Sequence, residues 1–216
     1  MSDSHSRKNL FAEAMDRLGD LFILNLLFIA FSLPIVTIGA STTALYSVTI
    51  KMQKKEEGTL SSSFIASFKS NFKAATKLWF LIILAVLIMF VQYVMIINYH
   101  NLLSKIYIPI LIAELVVFAI TLPFIFPLEA RYTNTIKGTV KNAFILSFAN
   151  LWSGIRINIA WAAPILLSVI YPKIFLFTWY LWIVIGFSLI SYIASAPALA
   201  VFNKIEEKNN NTKNKQ

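Results

Sequence analysis

Long apolar stretches without a charge alternate along this chain with short charged segments. Thirty residues from Leu21 to Ile50 carry no Asp, Glu, Lys or Arg, as do twenty-seven from Leu78 to Ser104 and thirty from Ile174 to Asn203. A helix needs about 20 apolar residues to cross a bilayer, so each stretch is long enough to span one. Two more candidates follow: residues 106–128, interrupted only by Glu114, and the short run Ile157 to Pro172, which a snorkelling Arg156 extends back toward Ser153. The pattern predicts an all-α integral membrane protein, a bundle of about five transmembrane helices. They lie near 21–46, 78–100, 106–128, 154–172 and 174–202 within one membrane domain, 1–203. Residues 204–216, rich in Asn and Lys, read as a disordered cytoplasmic tail.

Between the spans the pattern becomes amphipathic. Phe64, Ile65, Phe68 and Phe72 recur at helical spacing opposite Lys69, Lys73 and Lys77, as in a helix lying in the membrane interface; an ordinary loop helix packed on protein has the same signature. A weaker stripe, Phe11, Met15, Leu18 and Phe22, precedes the first span. Prolines stand in every span but the second (Pro34, Pro109, Pro123, Pro127, Pro164 and Pro197). They predict kinked helices packed against neighbours that satisfy the freed carbonyls. Trp152, Trp161, Tyr171, Trp179 and Tyr180 sit near segment ends, where aromatic anchors are expected.

Composition agrees with lipid as the solvent: 58% of residues are hydrophobic and 13% charged, against about 45–50% and 25% in soluble domains. The net charge of +9 is then first a topology signal and not a nucleic-acid footprint. Five spans put fourteen of the nineteen Lys and Arg on one side, with the C-terminus, making that side cytoplasmic. The first segment has two other readings, a re-entrant hairpin around Pro34 and Gly39 or a cleaved signal peptide. An internal parallel repeat favours the span. Ser32-Leu33-Pro34-Ile35 parallels Thr121-Leu122-Pro123-Phe124, and Phe64-Ile65-Ala66-Ser67-Phe68 parallels Phe144-Ile145-Leu146-Ser147-Phe148.

A family likeness lies in Gly19-Asp20-Leu21, Leu24-Asn25-Leu26-Leu27 and the run from Ser32 to Ser41. Ala44-Leu45-Tyr46 and a second block, Phe126 to Tyr132 followed by Lys141-Asn142-Ala143, add to it. These residues resemble the YesL-like bacterial membrane proteins over roughly 15–203. The resemblance implies a domain of unknown function, and an association with carbohydrate uptake drawn from gene neighbourhood. It carries no catalytic residues over.

Few residues offer chemistry. Glu114 is the one acid well inside a span, an intramembrane site for a proton or cation or a carboxyl satisfied locally. Asn25, Thr37 and Gly39 complete the intramembrane polar candidates, as packing amides and small residues or as a broken helix facing a ligand. Lys69, Lys73, Lys77, Arg131, Lys137 and Lys141 are candidate contacts for anionic lipid or a cytoplasmic partner. Cysteine is absent, the only histidines are His5 and His100, and no phosphate loop or dinucleotide fingerprint occurs, so no metal, cofactor or enzymatic activity is expected. The expected partners are the bilayer and a sugar-transport permease or membrane sensor, with no nucleic acid. The function expected is that of an accessory or regulatory component of ABC-type carbohydrate uptake; the alternative is a small secondary transporter or channel acting as an oligomer.

Overall fold

A computed structural model describes residues 2–56, 58–98 and 102–213. The described residues are almost all helical, and none of them forms a strand. In chain order the helices are α1 (Ser2–Ser32), α2 (Ile38–Lys54), α3 (Leu60–Asn98), α4 (Leu102–Arg131), α5 (Ile136–Ala149), α6 (Leu151–Ile170), α7 (Pro172–Leu181) and α8 (Phe187–Lys213). A 3₁₀ turn, Ile35–Thr37, separates α1 from α2, and a π-helical segment, Trp182–Gly186, joins α7 to α8. His100 lies outside the described residues.

Four stretches are long and apolar enough to cross a bilayer: Leu60–Asn98, Lys105–Arg131, Leu151–Ile170 and Phe175–Asn211. The first expected span, 21–46, is not among them. Its helix stops at Ser32, and Pro34 takes an extended backbone (φ −73°, ψ 119°) before the 3₁₀ turn. The chain then folds back. Asn25 and Thr49 bond to Ser188 and Ser191, within one turn of α8, although straight helix would hold residues 25 and 49 about 36 Å apart. The apolar limb 21–32 is about 18 Å long and α2 about 26 Å, each short of the roughly 30 Å hydrocarbon core. Four helices thus have the length and apolarity to cross, and a fifth span is not confirmed.

The same finding removes half of the repeat. Ser32-Leu33-Pro34-Ile35 forms the break, whereas Thr121-Leu122-Pro123-Phe124 lies inside continuous α4. The difference is chemical. Proline 123 frees the carbonyl of Ala119 four residues earlier, and Asn158 Nδ2 from α6 donates to that oxygen at 2.8 Å. The carbonyls at Pro34 are instead met by the turn itself. Thr37 Oγ1 donates to Phe31 O (2.6 Å) and Pro34 O (2.7 Å), and Trp79 Nε1 donates to Ile35 O (2.9 Å).

Helix α2 is the centre of the bundle, with Ala40, Ser41, Thr43 and Ala44 fully buried. It packs along the first half of α3, and Gly39 makes the approach. A Cβ there would lie 2.6 Å from both Ala75 O and Trp79 Cβ. One core joins Tyr46, Leu78, Phe124, Ile157 and Phe202; a second joins Leu21, Leu24 and Phe28 to Leu45, Val48 and Phe64.

The amphipathic stretch 63–77 is continuous with the span in α3. Phe64 is fully buried against the α1–α2 hairpin, so this stretch packs on protein and does not lie in the interface. The exposed apolar stripes are elsewhere, at Met15, Leu18 and Phe22 on α1 and Phe144, Ile145 and Phe148 on α5. The C-terminal segment also differs from its expectation. Residues 204–213 continue α8, held by Ile205 against the core and by Glu206, which Arg131 and Tyr132 bind.

Candidate functional site

The exposed stripe of α3 locates the bilayer. It runs Lys69, Lys73, Lys77 and then changes to Phe80, Leu84, Leu87 and Val91, all exposed. Lysine faces water or headgroups and bare hydrocarbon faces lipid, so the boundary falls between Lys77 and Phe80. Exposed Lys137 and Lys141 on α5 follow the end of α4, which returns toward the first half of α3. All five lysines are exposed, as a surface that meets headgroups or a partner requires.

Beside this surface a polar cleft of about 660 Å³ opens between α2, α3 and the end of α4. Lys51, Ser62, Ser63, Ser70, Asn71 and Tyr132 are among its lining residues. A smaller recess of about 210 Å³ adjoins it at Lys51, Lys54 and Glu56. The hydroxyls come from the serine run at the start of α3, which helical spacing spreads along the cleft wall.

Arg131 is a cleft residue but not a free cation. Its Nε and Nη2 donate to Glu206 Oε1 at 3.1 and 2.8 Å, and Nη2 also donates to Oε2 at 2.8 Å. The guanidinium lies 5.5 Å from the Phe202 ring centre. Tyr132 donates its hydroxyl to Glu206 Oε1 at 2.9 Å. Burial, and then the Glu206 carboxylate accepting that bond, push the Tyr132 phenol up to about 12. The expected role of Arg131 as a docking group is thus corrected to a clamp joining α4 to α8. Glu129, two residues earlier, is buried and accepts a bond from Thr139 Oγ1 on α5 (2.9 Å). As its spacing implies, it does not pair with Arg131.

The intramembrane candidates separate. Asn25 is fully buried and spends its amide on the π segment. Nδ2 donates to Trp182 O (3.0 Å) and Ile183 O (2.6 Å), and Oδ1 accepts from Ser188 N (3.0 Å). A π turn breaks the regular ladder, and this one side chain repairs it from another helix. Thr37 and Gly39 serve the break and the α2–α3 contact, so the backbone there is closed to a ligand. Asn158 satisfies the proline carbonyl in α4, and Asn98, among the described residues, bonds its own helix at Val94 O. Trp161 is no interfacial anchor, because its Nε1 donates to buried Tyr46 Oη at 2.6 Å. Glu114 alone remains beside an open groove, with Gln92 Nε2 donating to its Oε1 at 3.1 Å. Sequence reasoning passed over Gln92, Glu206 and Ser188. Gln92 was the one with a local signal, an amide inside an otherwise apolar span.

These features define a multi-pass helical membrane protein with a basic, cleft-bearing end. A family model described as "Protein of unknown function, DUF624" matches residues 21–93, the stretch from the second half of α1 through most of α3. No curated protein and no solved structure was found to match the chain.

Proposed function

We propose that this protein is a non-enzymatic accessory or regulatory component of ABC-type carbohydrate uptake in the cell membrane, docking a permease or membrane sensor on its basic end. The carrying observation is the lysine stripe of α3, exposed along its length while the opposite face of the same helix is buried against the hairpin. A stripe mounted on so fixed a helix presents its charges in one register, as recognition of a partner needs. The likeness to YesL-like proteins supplies the association with sugar uptake.

The basic end is cytoplasmic in this reading, and both termini lie there. Four crossings with the α1–α2 hairpin leave only Lys105 and Lys173 on the far side, so seventeen of nineteen basic residues share one face. That asymmetry is sharper than five spans allow and supports the hairpin orientation. Reporters fused after residue 8 and after Asn203 test it, the expected result being that both report the cytoplasm. Docking is tested with a photo-crosslinking residue at position 69 or 73 in native membranes, compared with one at lipid-facing Phe90. Capture of a transport permease or sensor from the lysine face only is expected. Capture of none, or an unchanged yield after Lys69, Lys73 and Lys77 are all replaced by Glu, overturns the proposal.

A further inference from the structure

Within the apolar part of the bundle, a groove of about 470 Å³ runs between α3 and α4. Leu81, Ala85 and Met89 form one wall and Ala113, Val117 and Phe118 the other, and Glu114 is the single ionisable group lining it. Leu81 and Val117 are exposed, so the groove opens sideways toward lipid. Glu114 Oε1 accepts the amide of Gln92 at 3.1 Å. The remaining oxygen of each side chain, Glu114 Oε2 and Gln92 Oε1, is shut off from solvent and has no hydrogen-bond partner. Acceptors left unmet in an apolar setting are costly, and here two of them belong to one bonded pair.

We propose that this groove binds a membrane-dissolved primary alkylammonium, its head donating to the Glu114 carboxyl group in the groove wall and its chain lying between α3 and α4. Of the two side chains, Glu114 lines the groove, and its free oxygen lacks a donor, so the head must donate. That oxygen belongs to a carboxyl group with no Lys, Arg or His lining the groove beside it, and a cationic head makes the stronger, charge-assisted bond to such a group. The other lining residues are almost all apolar and of ligand-pocket dimensions, so the body should be hydrocarbon. An alcohol supplies the donor without the charge, and a quaternary ammonium the charge without the donor. This site stands apart from the basic end and does not depend on the docking proposed there.

The test is equilibrium binding of radiolabelled dodecylamine near neutral pH to the full chain in phosphatidylcholine nanodiscs, with empty nanodiscs as background. Saturable binding is expected, with dodecanol and dodecyltrimethylammonium competing about tenfold less well or worse. Glu114→Gln keeps the shape and should weaken binding by about tenfold or more. Ala85→Phe fills the groove from the facing wall and should remove binding, which keeps the test decisive if Glu114→Gln does not insert. Binding no greater than that of empty nanodiscs overturns the proposal. So does wild-type affinity in either variant, or dodecanol competing as well as dodecylamine.

Discussion

Replacing Asn25 by Leu is the sharpest test of how the π segment is held. The amide makes three bonds across the α1–α8 junction, two donated to Trp182 O and Ile183 O and one accepted from Ser188 N. Interhelical bonds in membrane proteins contribute about 0.6–1.7 kcal/mol each, so their loss removes roughly 2–5 kcal/mol. Leu fills a similar volume, which keeps a cavity from dominating, but leaves the Ser188 N–H without its partner at a fully buried position. For a chain of this size each kcal/mol moves the melting temperature by about 2–4 °C, so a fall of about 4–20 °C is expected. The assay is heating in detergent, followed by size-exclusion chromatography of the surviving protein. Asn98→Leu is the control, because Asn98 is exposed and, among the described residues, bonds its own helix. Asn25→Asp should be no milder than Asn25→Leu, since it sets a carboxyl oxygen against two carbonyls. If Asn25→Leu melts with the wild type, the amide does not hold the segment and its assignment as structural is wrong.

Asn158→Leu should destabilise by about 1–2 kcal/mol, and adding Pro123→Ala should recover part of that by restoring an N–H for Ala119 O; simple additivity of the two changes in a double-mutant cycle would refute the pairing. Gly39→Ala should cost about 1–3 kcal/mol, because its Cβ would meet backbone at Ala75 O, and undiminished folded yield on membrane extraction would count against the close contact. Spectrophotometric titration should show one phenol ionising near pH 12, lost in Tyr132→Phe. Because this pKa is raised in the folded state, its contribution is complete below about pH 10 and fades as pH climbs toward 12; an ordinary tyrosine titration in both proteins would remove the Glu206 clamp from consideration.

Hydrophobic run length made most of the bundle legible, since α3, α4, α6 and α8 carry the expected apolar stretches. The hairpin was legible only as a second reading of the first segment, and the reason is specific. Pro34 and Pro123 look alike in sequence, yet the first ends a helix and the second sits within one. What separates them is a distant donor, Asn158, for one carbonyl, and a local Thr37 with Trp79 for the others. The stripe on 63–77 was visible, but amphipathicity does not say whether lipid or protein covers it. Burial assigned that stripe to protein and left those of α1 and α5 uncovered. Among the polar candidates, Glu114 stood out as a lone acid, whereas the Arg131–Glu206 pair spans 75 positions and crosses into a segment whose composition suggested no structure.

Helix α3 is one unbroken rod of 39 residues, about 58 Å long. The bilayer claims roughly 30 Å of it, and the rest projects beyond the headgroup boundary at Lys77 as a lever. Gly39 presses on it at Ala75 and Trp79, close to that boundary, where a pivot would sit. A tilt of about 10° within the hydrocarbon would swing the far end of the lever by about 5 Å. Because Phe64 seats that outer half on the α1–α2 hairpin, any such tilt must carry the hairpin with it, and the lysines on the outer face of α3 keep their register.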